Sequence, residues 1–251
     1  VAPSRGLGDV YKRQVPAYEQ SSDQEVAFQA VDYILRVLKK NMVFGMTWGR
    51  AMHEFVEQLA KDERLRSLSF QNVKVVPFLG TPGAIQSDSW NTTTYSNTLA
   101  TKVGNLLHCA SYNLSAPMYV EGTKEKELIE SIDEIAKVLH MAETADIALI
   151  GIGSMQDDSS IIKAEIRTKE EYKELVRKGA VGEIVGRIYD KNGQTVDEDL
   201  KRKMVGISLD KIAKIPVRVG MSYGKDKIEA IKGAIAGGLV NVLVTDVPTA
   251  E

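Results

Sequence analysis

Four turns that follow short apolar runs hold the residues with most scope for chemistry. The run Met42 to Met46 leads into Thr47-Trp48-Gly49-Arg50 and then an amphipathic segment. Backbone N–H groups at a strand-to-helix turn, aided by the helix dipole, form an anion or hydroxyl site. There Arg50 would add charge-assisted hydrogen bonds, and Trp48 a flat face for a sugar ring. The other reading puts Trp48 in the core and Arg50 in water. Gly151-Ile152-Gly153 follows the apolar run Ile147 to Ile150. It lacks the third glycine of a dinucleotide fingerprint, so it reads as a close approach of backbone to a ligand and not as a cofactor loop. Between a strand and a helix lies Gly220 to Lys227. A lysine in a first helical turn opposes the dipole; a polyhydroxyl or anionic ligand would explain Lys227, and so would plain solvation. The fourth turn, Leu79 to Gly83, contains glycine and proline.

Catalytic and metal chemistry find little support. His53, His108 and His140 stand far apart, without ligand partners at helical or zinc-site spacing. Cys109 follows His108, but neighbouring side chains on a helix point apart, so they make no nucleophile–base pair. Asp157 and Asp158 read as a solvated loop pair. No catalytic residue, metal or cofactor is expected.

The elements that must hold these turns alternate along the chain. Ala27, Ala30, Val31, Ile34, Leu35 and Leu38 keep one helical face apolar, as do Met52, Phe55, Val56 and Leu59. Leu128, Ile132, Ile135 and Leu139 read as the core stripe of another helix, and Thr168 to Glu171 as a capping box with Gly179 ending its helix. Strands are expected at Met42 to Met46, Val73 to Phe78, Ala116 to Val120, Asp146 to Ile150, Pro216 to Val219 and Val240 to Thr245. Ile184 to Tyr189, Asn192-Gly193 and Val205 to Ile207 suggest a hairpin-like excursion through an Asn-Gly turn. Buried strands separated by amphipathic helices predict an α/β fold: a Rossmann-like, mostly parallel sheet covered on both faces. Such sheets bind ligands beyond their C-terminal strand ends, which is where the four turns lie.

Bulk properties agree. With 43% hydrophobic and 26% charged residues, the chain suits a water-soluble core. Its formal net charge of −2 offers no basic face for nucleic acid. A single cysteine points to a reducing, cytoplasmic setting. No apolar run approaches the ~20 residues needed to cross a membrane. Val1 to Gln14 lacks any helical or strand period and reads as a non-native or disordered leader, leaving residues 15 to 251 as one domain.

Six segments in order resemble the sugar-binding domain of SorC/DeoR-type bacterial transcriptional regulators. They are Gly45 to Arg50, Leu114 to Val120, Ala145 to Gly153, Gly179 to Arg187, Gly206 to Asp210 and Gly237 to Asp246. The resemblance implies a fold related to ribose-phosphate and glucosamine-phosphate isomerases. It implies an effector domain that senses a sugar, polyol or sugar phosphate and modulates operator binding by a separate helix-turn-helix. That DNA reader is not in this chain, and the domain is expected to be truncated at its N-terminal edge. A homodimer or homotetramer is expected.

The resemblance also assigns roles. Thr47, Trp48, Gly49 and Arg50 match the first effector loop, although phosphosugar-binding members carry threonine pairs where Arg50-Ala51 stands here. Gly151 and Gly153 match a loop at the same mouth. Glu183 matches an acid that contacts effector hydroxyls. Lys227, in Gly-x-x-Lys-x-x-Ala-Ile from Gly224, matches a lysine that binds phosphate or hydroxyl. Leu79 departs from the pattern, since its position often holds a polar or basic residue. The alternative is an isomerase-like enzyme on the same fold, for which Glu183 and Asp246 are the tempting acids.

Overall fold

The computed structural model describes residues 11–15, 22–82, 92–157 and 159–251. The chain begins with β1 (Tyr11–Val15), α1 (Ser22–Val37), β2 (Val43–Met46), α2 (Arg50–Leu59), β3 (Lys74–Pro77), α3 (Ser96–Leu106) and β4 (Ala110–Ser111). Two helices follow, α4 (Thr123–Glu130) and α5 (Asp133–Glu143), then β5 (Ile147–Gly151) and β6 (Gly153–Ser154). Next come α6 (Ser160–Lys163), α7 (Lys169–Arg177), β7 (Ala180–Ile184), β8 (Arg187–Asp190), α8 (Glu198–Lys203) and α9 (Leu209–Ile212). The chain closes with β9 (Val217–Met221), α10 (Ile228–Ala236), β10 (Val242–Asp246) and α11 (Val247–Ala250).

Seven strands form a parallel sheet in the order β1-β10-β9-β5-β2-β3-β4. Alternate side chains of its strands enter two separate cores, as the pleat requires. Ile147 and Leu149 of β5, Val75 of β3 and Val242 and Val244 of β10 pack with α1, α2 and α3. Ala148, Ile150, Val76 and Leu243 point the other way, toward α5 and α10. Helices on both faces explain why β5 reads as a continuous apolar run. A small antiparallel sheet, β6-β7-β8, extends from the end of β5.

Several local expectations are corrected. Tyr11 to Gln14, set apart with the leader, lie in β1, where they take parallel register with Val242 to Thr245 of β10. The expected single helix through Leu128 and Leu139 is two helices: Ile132 is extended at the N-cap of α5. That break leaves Leu128 70% and Ile132 52% exposed, while Ile135 is buried. Ala116 to Val120 forms isolated bridges, Thr81 to Pro117 and Tyr119 to Met204, instead of a strand; Pro117 has no N–H for a ladder. The hairpin turns at Val185-Gly186, between β7 and β8, and Asn192-Gly193 makes a second turn that brings Thr195 back to Tyr189. The α7 capping box forms as predicted, with the Thr168 side chain accepting from the Glu171 N–H and Glu171 accepting from the Thr168 N–H.

Candidate functional site

The strand order sets β5 between β9 and β2, so the turns leaving these three strands are neighbours. They enclose a cavity of about 560 Å³, within the range of small-molecule sites. Trp48, Gly49 and Arg50 line it from the end of β2, Gly151 and Gly153 from β5, and Lys227 from the turn after β9. Glu183 reaches it from β7. Gly49, the N-cap of α2, has φ 104°, a conformation open chiefly to glycine. Its N–H donates to the Thr94 carbonyl at 3.0 Å.

Thr47 does not line the cavity. It is buried, and its Oγ1 accepts from the Gly151 N–H at 2.9 Å while its own N–H donates to the Leu149 carbonyl at 3.1 Å. Thr47 therefore fastens the turn after β2 to the glycine loop after β5. Trp48 is 6% exposed within the core, as one of its two sequence readings has it, and its indole N–H donates to Glu183. Arg50 is exposed at the rim.

Glu183 forms the floor. The small sheet pairs it with Gly153 across β6 and β7. Its Oε1 accepts from the Gly186 N–H. That N–H is aimed by a turn in which Val185 has φ 56° and Gly186 φ 69°. Left-handed backbone is costly for a β-branched residue, roughly 1–3 kcal/mol, and such outliers cluster at functional sites. Burial pushes the Glu183 carboxyl up to about 7, against the lowering pull of the Gly186 N–H, the Trp48 indole and the charges of Lys227 and Arg187. Arg187 is itself buried, and donates to the carbonyls of Met204 at 3.2 Å and Gly206 at 3.1 Å.

Lys227 stands in a hydrogen-bonded chain. Its Nζ donates to Ser154 Oγ at 2.7 Å, and Ser154 Oγ donates to Asp226 Oδ2 at 3.0 Å. The ammonium also lies 3.1 Å from Asp226 Oδ2. It sits in a 3-10 turn, Lys225–Lys227, at the N-cap of α10, so its misfit with the helix dipole remains and is offset by the Asp226 carboxylate. The sequence reading missed Ser154 and Asp226. Their one signal was adjacency to Gly153 and Lys227. It also missed the outer rim, where Asp23 of α1 accepts from the Tyr223 hydroxyl and where His53 and Glu54 of α2 line the opening.

Gly220-Met221-Ser222-Tyr223-Gly224 has the Gly-x-Ser-x-Gly spacing of a nucleophile elbow, which corrects the expectation that this pattern is absent from the chain. Ser222 is buried, its Oγ donates to the Ile152 carbonyl at 3.2 Å, and its φ is not in the left-handed region. It is a structural serine. Leu79 is buried in the core beside Gly206 and does not line the cavity. Asp246 is likewise buried at the start of α11, outside the lining. His108, His140 and Cys109 do not line the cavity either. Asp157 is exposed, and Asp158 lies outside the described residues. Among the described residues, no group of three His, Cys, Asp or Glu side chains could hold a metal ion.

Comparison with known proteins matches residues 13–251 to the Sugar-bind family model, which describes a sugar-binding domain. The transcriptional regulator LsrR of Escherichia coli O9:H4 is 30% identical over 225 residues, covering 88% of this chain and 65% of that protein. The chain thus spans about 65% of the length of this curated relative. The full-length sorbitol operon regulator SorC of Klebsiella pneumoniae superposes with a TM-score of 0.82 at 26% identity, over 94% of this chain and 74% of that one. A transcriptional regulator from Streptococcus pneumoniae shares the fold, with a TM-score of 0.85 at 23% identity over 97% and 90% of the two chains.

Proposed function

Because this chain belongs to the sugar-binding domain family, we propose that it is the effector-sensing part of a DNA-binding transcriptional regulator. The observation that carries this reading is the convergence of Trp48, Gly153, Glu183 and Lys227 on one cavity from four sequence-distant segments. An aromatic face, a carboxylate acceptor and an ammonium donor match the surface of a polyol ring. We assign effector contact to Trp48, Gly49, Arg50, Gly151, Gly153, Glu183 and Lys227, with Thr47 holding two of their loops together.

The domain acts by binding and not by turnover. Isomerase chemistry needs a positioned general base and an anion clamp. Glu183 is instead committed to the Gly186 N–H and the Trp48 indole, and Lys227 to Ser154 and Asp226. Effector binding would shift operator affinity only by favouring one of two arrangements of the whole regulator. Operator DNA is engaged through a separate domain, in the cytoplasm. Among the described residues, no helix is long and apolar enough to cross a membrane.

A homodimer or homotetramer is supported by the outer face of α4 and α5. Leu128 and Ile132 are exposed there, and Ile132 borders an apolar groove of about 850 Å³ shared with Tyr112 and Met141. Exposed apolar surface of this kind marks interaction sites.

The direct test is a thermal-shift screen of this chain with pentoses, hexoses, polyols and their phosphates. A ligand at ~100 times its Kd adds ~2.7 kcal/mol. A response that Lys227→Ala weakens supports the reading; silence across the panel refutes it.

A further inference from the structure

We infer that the effector is an unphosphorylated sugar or polyol, selected by a cavity that is rich in acceptors and has its inner cation, Lys227, already paired. This rests on the sugar-sensing reading above and narrows its ligand class.

Among the described residues, the cavity is lined by four carboxyl groups, Asp23, Glu54, Glu183 and Asp226, against two cations, Arg50 and Lys227. Lys227 is the cation nearest the floor, and two of its contacts are taken: Ser154 Oγ at 2.7 Å and Asp226 Oδ2 at 3.1 Å. An ammonium has three donors, so at most one remains for a ligand. Arg50 is exposed at the rim, close enough to Tyr223 to share its electrostatic environment with Asp23 and Glu54. The first turn of α2 adds backbone donors and roughly half a positive charge, which does not offset the carboxylates.

Hydrogen-bond type leads to the same class. A phosphate dianion offers acceptors, and the carboxylates of Glu183 and Asp226 present acceptors in return. Hydroxyl groups donate as well as accept, so a polyol can satisfy carboxylate oxygens that a phosphate would leave facing like charge. An anion at the remaining Lys227 donor would lie beside the Asp226 carboxylate, which already offsets the ammonium charge. Trp48 beside Glu183 supplies the apolar face that a sugar ring, but not a bare phosphate, can cover.

The test uses matched pairs with this chain: ribose and ribose 5-phosphate, glucose and glucose 6-phosphate, sorbitol and sorbitol 6-phosphate. Isothermal titration is run at pH 8, where the phosphates are dianions. The expected result is that at least one neutral member binds and its phosphorylated partner binds at least tenfold more weakly. Asp226→Asn, checked for folding by circular dichroism, is expected to narrow that gap by at least threefold by releasing Lys227. A phosphorylated member binding as tightly as its neutral partner, or tighter, overturns the inference and leaves the sugar-sensing reading standing. An absence of binding by every pair overturns both.

Discussion

Gly153 and Glu183 oppose one another across the β6–β7 ladder so closely that a Cβ on residue 153 would lie 2.8 Å from Glu183 Oε2. The absence of a side chain at 153 is what lets the Glu183 carboxyl occupy the cavity floor. Gly153→Ala is therefore expected to displace that carboxyl and to weaken the best sugar or polyol ligand by at least tenfold. Melting temperature should also fall, because the displaced carboxyl gives up its buried hydrogen bonds to the Gly186 N–H and the Trp48 indole. Titration calorimetry on the variant checks this, and an unaltered Kd would remove Glu183 from the recognition surface.

Glu183 also makes stability depend on pH. Its folded carboxyl is raised from an ordinary value of 4.5 to about 7, so the folded protein holds this proton more tightly than the unfolded chain does. The associated stabilisation is complete below about pH 4.5 and is lost as pH rises through about 7. Relative to Glu183→Gln, the parent protein should lose up to about 3 kcal/mol between pH 5 and pH 8. Urea denaturation of both proteins across this window measures the difference; parallel pH profiles would show that burial does not perturb this group.

Away from the cavity, Arg167 and Asp197 form a largely buried ion pair, with contacts of 2.9 Å to Oδ2 and 3.1 Å to Oδ1. Asp197 also caps α8 by accepting from the Leu200 N–H at 2.9 Å. Asp197→Ala removes both and leaves the guanidinium with Asp199, at 3.1 Å, as its carboxylate partner, with an expected cost of about 2–3 kcal/mol. Asp197→Asn keeps a capping acceptor and should cost about 1 kcal/mol less. Equal denaturation midpoints for the two variants would show that the cap contributes nothing.

Assembly can be tested on the exposed apolar face. Leu128→Asp combined with Ile132→Asp should lower the molar mass measured by light scattering at micromolar concentration from an oligomer to a monomer. Folding should survive, since both side chains already face solvent. An oligomer of unchanged mass would place the interface elsewhere.

The elements were largely legible in the sequence because their signals are local. Ile147 to Ile150 announces a strand buried on both faces, and Thr168 with Glu171 announces a helix start. The failures were equally local in origin. Leu128 and Ile132 keep a helical spacing with Ile135, but the backbone breaks at Ile132, and spacing alone cannot report which apolar residues lose their partners. Tyr11 to Gln14 show no strand periodicity; their strand is defined by pairing with β10 at the far end of the chain.

By itself, the sequence determined the alternation of apolar strands and amphipathic helices, and with it the parallel sheet and the turns where polar residues collect. Those features follow from side-chain periodicity and backbone preferences within a few residues. Tertiary structure alone decided that Ser154 meets Lys227 across 73 positions, that Thr47 serves as a fastener, and that Glu183 is buried near neutrality. The physical reason is that desolvation and hydrogen-bond partnership depend on which distant segments the sheet order brings side by side.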